Sequence, residues 1–259
     1  MKITYAVTNP GLLDIPELLP EPASNFIPEW YKNVPVKKDI PYSDGYVPKL
    51  KSNYKSVKQC PSFVEVFKEG YVLKAVTDMW FYYDELENTY RYELPHEDDF
   101  QKIEIHSNDQ YVDYLPASSN IKFVFKYASP FLVFTEPGYS IRQMPIPYDF
   151  NKDWHSSYGV FKTDKLHEAN VQINFTSNKK EILIKQGTPL CVHIPYKRIK
   201  TSMKIVDLNK NYKLNAKWKK GRLLSSLGNF KGGYLKNLWY NPAYGFYNWI
   251  FIRYFFKRY

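Results

Sequence analysis

The chain has 259 residues and a formal net charge of +10, with 44% apolar and 18% aromatic residues. That length can bury a sizeable core, and the ordinary apolar share excludes disorder of the whole chain. Two cysteines, Cys60 and Cys191, are too few for a disulfide framework or for a structural zinc site without histidine help, so two thiols in a reducing compartment are expected.

Taken in order, the first seven residues run straight into Asn9-Pro10 without the long apolar core of a secretory signal, and export by that route is not expected. Prolines then recur from Pro10 to Pro61. Each removes a backbone donor and disfavours helix in the residue before it, so residues 1–70 read as a Pro-rich arm wrapped on the body. Phe26, Ile27, Trp30 and Tyr31 are its expected anchors. A short helix is predicted over 61–70, where Phe63, Val66 and Phe67 share one face and Gly70 can end it.

From Tyr71 the apolar period changes to alternation. Strands are predicted at 71–77, 79–83, 89–93, 121–127, 131–135, 139–144, 157–161, 169–175, 181–184 and 190–195. Many short strands separated by Pro, Gly and Asn predict a mainly β body over 71–200, an antiparallel β-clip, jelly-roll or barrel-like sheet structure. The 24 tyrosines and 17 phenylalanines suit that pleated, half-buried surface.

Residues 201–259 are predicted to be a helical or irregular tail, with Gly228, Gly232 and Gly233 as breakers. No acidic residue follows Asp207, while eleven of the 36 Lys plus Arg do, which leaves 25 basic against 26 acidic residues in 1–207. The surplus charge therefore belongs to the tail. Lys217, Lys219, Lys220, Arg222, Arg253, Lys257 and Arg258, interleaved with Trp239 and Trp249, are the expected contacts. An acidic partner follows, whether nucleic acid, an acidic protein face or an anionic membrane surface, and a homo-oligomer is compatible with the same features. Rings that close an open side of the protein's own core are the competing explanation for the aromatic half of this pattern. No apolar run is long enough for a spanning helix.

Several residue sets have the types that chemistry needs. His96-Glu97-Asp98 is a His-x-Asp pair, and with His193 or His155 it supplies the two-histidine, one-carboxylate face of an iron(II) oxygenase, with Arg198 to hold 2-oxoglutarate. Against it, His96 stands among acidic neighbours, as in a solvated turn. Asp153, His155 and Ser156 are the residue types of a hydrolytic triad, though no Gly-x-Ser-x-Gly elbow accompanies them. Cys191 and His193 share a strand face, where a buried structural thiol is the blander reading. His106 reads as a surface or strand-end histidine bonded to a neighbour. Arg142, Lys197, Arg198 and Lys200 form a candidate anion site whose alternative is a charged, solvated sheet edge. Walker, Rossmann-glycine and CxxC signatures are absent.

Ile27-Pro28-Glu29-Trp30-Tyr31-Lys32, Val57-Lys58-Gln59-Cys60-Pro61, Gly187-Thr188-Pro189-Leu190 and Ile194-Pro195-Tyr196-Lys197-Arg198 together resemble an uncharacterised domain family of bacteria and tailed phages. The resemblance implies a phage or bacterial origin, with the host-cell cytoplasm or the virion as location, and no activity. At fold level, Pro137-Gly138-Tyr139, Gly159-Val160-Phe161 and the strand ending at Val192 are similar to dUTPase-type β-clip barrels, but Lys162 replaces the aspartate that activates water. The expectation is a non-catalytic, phage-type accessory or structural binding protein without a cofactor. The alternatives are an iron(II)/2-oxoglutarate oxygenase and a degenerate nucleotide-binding β-clip protein.

Overall fold

The computed structural model describes residues 2–38, 54–87, 89–95 and 102–229. The protein is mainly antiparallel β-sheet with few helices, in two compact units, Met1–Ile199 and Lys200–Tyr259.

The strands of the first unit begin with β1 (Ile3–Val7), β2 (Glu21–Pro22), β3 (Lys37–Lys38), β4 (Tyr54–Lys55), β5 (Tyr71–Lys74), β6 (Met79–Asp84), β7 (Thr89–Glu93) and β8 (Lys102–His106). They continue with β9 (Phe123–Ala128), β10 (Phe131–Thr135), β11 (Tyr139–Met144), β12 (Trp154–Ser156), β13 (Gly159–Phe161), β14 (Val171–Phe175), β15 (Glu181–Ile184) and β16 (Pro189–Lys197). Two short helices, α1 (Glu29–Lys32) and α2 (Pro61–Val66), lie in the arm.

Three sheets build the body, in the orders β13-β11-β16-β5-β2, β12-β14-β9-β8 and β15-β6-β7, alongside the pairs β1-β10 and β3-β4. Alternation explains which side chains meet. Val171, Ile173 and Phe175 of β14 face Phe123, Phe125 and Tyr127 of β9 across an antiparallel register, and all six enter one core with Met79, Phe81, Leu73 and Cys191. Rings dominate its centre: Phe81 lies 4.7 Å from Phe125 and 4.8 Å from Phe175, centroid to centroid. Such pairs add about 0.5–1.5 kcal/mol to their area burial.

The arm is less extended than its prolines imply, because 3₁₀ turns at Pro10–Asp14, Pro16–Leu18 and Ala23–Phe26 fold it locally. Leu12 and Leu18 are thereby delivered into the main core. Of the predicted anchors, Tyr31 is buried and Phe26 and Ile27 are half-buried, while Trp30 stays 37% exposed. Its indole edge instead donates to the Tyr148 carbonyl at 3.2 Å. Tyr148 itself stacks on Phe63 of α2 at 4.3 Å.

α2 forms as predicted but ends at Val66, and Gly70 follows at φ +84°. A Cβ there would stand 2.3 Å from the His193 carbonyl oxygen, so glycine is needed both for the left-handed backbone and for the approach to β16. β1 is an element the proline pattern did not reveal: it pairs along its whole length with β10, Ile3 opposite Thr135 and Val7 opposite Phe131.

In the second unit, α3 spans Tyr212–Asn229. Asn211 caps it by accepting from the Leu214 amide at 3.1 Å. The helix passes through Gly228 rather than breaking there, and Gly232 and Gly233 lie outside the described residues. Among the described residues no helix is long and apolar enough to cross a membrane.

Candidate functional site

β11 carries Arg142 and β16 carries Ile194 and Tyr196, with Arg142 directly opposite Ile194 in the ladder. The period of two places Arg142 and Met144 on the face opposite Ile141 and Gln143, which are buried inside. On that outer face Val72, Val192 and Ala23 form a small core with Met144 and Ile194 packed against it. Beside it lies a groove of about 600 Å3 lined by Arg142, Tyr196, Ile194, Pro195, Tyr71, Pro22 and the 68–70 turn. The exposed Arg142 guanidinium sits over the Tyr196 ring, 5.3 Å from its centroid.

The other members of the predicted anion site are placed differently. Arg198 folds onto Asp164, whose carboxylate it meets with Nη1 at 2.8 Å and with Nη2. The same Nη1 donates to the Ser140 hydroxyl at 2.7 Å and to the Tyr139 carbonyl, and Asp164 also accepts from the Gly138 amide at 2.9 Å. This clamp ties the Pro137-Gly138 turn to the end of β16. The guanidinium and the amide hold the Asp164 carboxyl well below the usual carboxylate range. Arg198 thus already has its anion. Lys197 is exposed at the end of β16, opposite Tyr139. Lys200 is exposed and belongs to the second unit.

The histidine most involved in the alternative chemistry is interior. His193 and Cys191 are both 0% exposed, on the inner face of β16. Nε2 of His193 lies 3.1 Å from Oε1 of Gln143, and the Cys191 thiol is 3.6 Å from that same oxygen. Nδ1 lies 3.4 Å from the Tyr5 hydroxyl. Because the Gln143 oxygen accepts only, Nε2 carries the proton and Nδ1 accepts from Tyr5. The Gln143 amide in turn donates to the Ser157 carbonyl at 3.4 Å, and the Ser157 hydroxyl meets Asn174. Burial pushes His193 down to about 3 and pushes the Cys191 thiol and the Tyr5 phenol up, so all three stay neutral near pH 7. The set is a satisfied polar thread through the core, without a thiolate or a spare imidazole nitrogen to attack or ligate.

His96 and Asp98 lie outside the described residues. Among the described residues no group of three His, Cys, Asp or Glu side chains can hold a metal ion. The hydrolytic triad is not assembled: the Ser156 hydroxyl is buried without a hydrogen-bond partner, and Asp153 is paired with Lys179 at 2.7 Å. His155 is half-buried on β12 and its burial lowers its pKa. Nε2 of His106, at the end of β8, is likewise buried without a partner.

In the second unit, every described residue of α3 from Tyr212 to Gly221 is exposed except Asn215. Lys213, Lys217 and Lys220 recur at i, i+4 and i+7, so they lie along one face over roughly 10 Å, with Lys219 on another. Tyr212, Leu214 and Trp218 are 79%, 43% and 46% exposed. The Arg222 side chain and Trp239, Trp249, Arg253, Lys257 and Arg258 lie outside what is described.

Among the described residues, fold and surface define an antiparallel β body with a groove beside Arg142 on one sheet face and, in the second unit, a basic helix bearing a lysine stripe. No protein-family model matches the chain, and no curated protein matches it by sequence.

Proposed function

We propose that the protein is a non-catalytic binding protein, of the accessory or structural phage type that the resemblance implies, whose C-terminal unit engages a polyanion through α3. The observation that carries this reading is the exposed stripe of Lys213, Lys217 and Lys220 in a segment with no acidic residue after Asp207. Such a stripe has an internal cost. Like charges at i, i+4 destabilise a helix by about 0.2–0.5 kcal/mol per pair, and Lys213 lies in a first turn that has no acidic residue to answer the helix dipole. A row of phosphates reverses both terms and releases its own counterions. The exposed rings of Tyr212 and Trp218 add stacking surface of the kind single-strand binders use.

The test is the salt dependence of binding to a single-stranded DNA oligonucleotide by the full chain. Each phosphate neutralised contributes about −0.7 to the slope of log K against log salt. Lys213→Gln, Lys217→Gln and Lys220→Gln together should therefore flatten the slope by about 2. An unchanged slope in that triple variant refutes the role of the stripe.

A further inference from the structure

We propose that the groove on the outer face of the five-stranded sheet binds a small organic oxyanion, a carboxylate or phosphate ester carried on a flat apolar body, with Arg142 reading the anion and Tyr196 supporting it. Two arginines stand near this corner of the sheet, and the contrast between them is the argument. Arg198 is surrounded by acceptors and neutralised by Asp164. Arg142 has the Tyr196 ring beneath it and, among the described residues, no carboxylate within ion-pairing distance. An aromatic ring stabilises a guanidinium but accepts none of its in-plane N–H bonds, so the donor fork that matches carboxylate and phosphate oxygens is left for another molecule.

The surroundings narrow the ligand. The groove's volume of about 600 Å3 is that of small-molecule sites. The other charges of the wall add no cation to the site: Lys68 is paired with Glu65 at 3.5 Å, and Glu69 brings a carboxylate to the same lining. Among the described residues Arg142 is the one cation of the groove without an acidic counterpart, which favours a single anionic group over a chain of them. Pro22, Gly70, Tyr71, Ile194, Pro195 and Tyr196 form the rest of the lining, and the prolines, Ile194 and the two tyrosine rings offer apolar area for the body of a ligand to cover. The frame is rigid where it matters. Arg142 and Ile194 are ladder partners, and Gly70 approaches β16 so closely that a Cβ there would meet the His193 carbonyl oxygen at 2.3 Å.

Calorimetric titration of the full chain with phenyl phosphate, benzoate and inorganic phosphate tests this. At least one aryl anion should bind with a Kd of about 1 mM or tighter, and inorganic phosphate alone more weakly. Arg142→Gln should weaken the aryl anion about tenfold or more, as expected for loss of a charged hydrogen-bond pair, and Tyr196→Leu should weaken it less. Arg142→Lys should recover only part of the loss, because an ammonium keeps the charge but not the fork. The α3 lysine variants should bind as the parent does, which separates this site from the polyanion surface. Absence of binding by both aryl anions, an Arg142→Gln variant that binds unchanged, or equal affinity for inorganic phosphate and its phenyl ester overturns the proposal.

Discussion

The β body and the C-terminal unit treat charge in opposite ways. In the body, charged and titratable groups are held by partners inside the chain: Lys74, almost fully buried, meets Glu21 at 2.5 Å, Arg198 meets Asp164, and His193 bridges Tyr5 and Gln143. A buried charge or dipole without such a partner costs several kcal/mol, so a folded core selects for pairing. In α3 the lysines stay in water, where their charge costs little to keep and where no acidic residue follows Asp207 to neutralise them. The lesson is that net charge alone says little about partners, whereas charge gathered on an exposed face says more. Arg142 is such a charge in the body, set beside a groove with no carboxylate within ion-pairing distance among the described residues.

The contrast can be broken most forcefully in the core. Phe175→Ala, which removes a fully buried ring touching Phe81, Phe125 and Tyr90, should destabilise the body by about 3–5 kcal/mol in chemical denaturation. Gly70→Ala should cost about 1–3 kcal/mol for the left-handed backbone, with a further penalty for its contact with the His193 carbonyl.

A pH titration sharpens the same comparison. His193 is held near 3 in the folded state against 6.5 for a free imidazole. As pH falls below 6.5 the unfolded chain takes up a proton that the folded chain refuses, so stability should drop by about 1.4 kcal/mol per pH unit from this group. His155, lowered by burial, acts with the same sign. Asp164, whose pKa is depressed, holds its stabilisation until the pH falls below the ordinary carboxylate range, so its loss lies below the window from pH 6.5 to about 4.5. His193→Gln should flatten the slope in that window, and a slope equal to the parent's would mean that the imidazole is not buried neutral.

The smallest effect is expected from the other region. Lys213→Gln, Lys217→Gln and Lys220→Gln should leave unfolding within about 0.5 kcal/mol of the parent while altering binding. A large loss of stability there would make the stripe a structural element.

Much of the body was legible in the sequence. The alternation at Val171–Phe175 and at Tyr139–Met144 placed strands where β14 and β11 lie, because side-chain period is a local property that one face of a sheet enforces directly. The arm was legible only in outline. Prolines marked where regular helix could not form, but β1 was not anticipated, since its pairing depends on β10 more than a hundred residues away. The predicted anion site resolved into parts with different roles for a similar reason. Arg142, Lys197, Arg198 and Lys200 look alike as a string of cations, and nothing local to Arg198 announces Asp164, 34 residues earlier in the chain.

What the sequence determined by itself is the division of charge between a near-neutral body and a basic C-terminal segment, and the period that makes the body a sheet protein. Both are sums or repeats along the chain, which need no knowledge of neighbours. Tertiary structure alone decided that His193 is a neutral core residue, that Arg198 is clamped and that Arg142 faces a groove with its donors unanswered. Those outcomes turn on which residues folding brings within about 3 Å of one another, a distance over which hydrogen bonding and burial outweigh residue type.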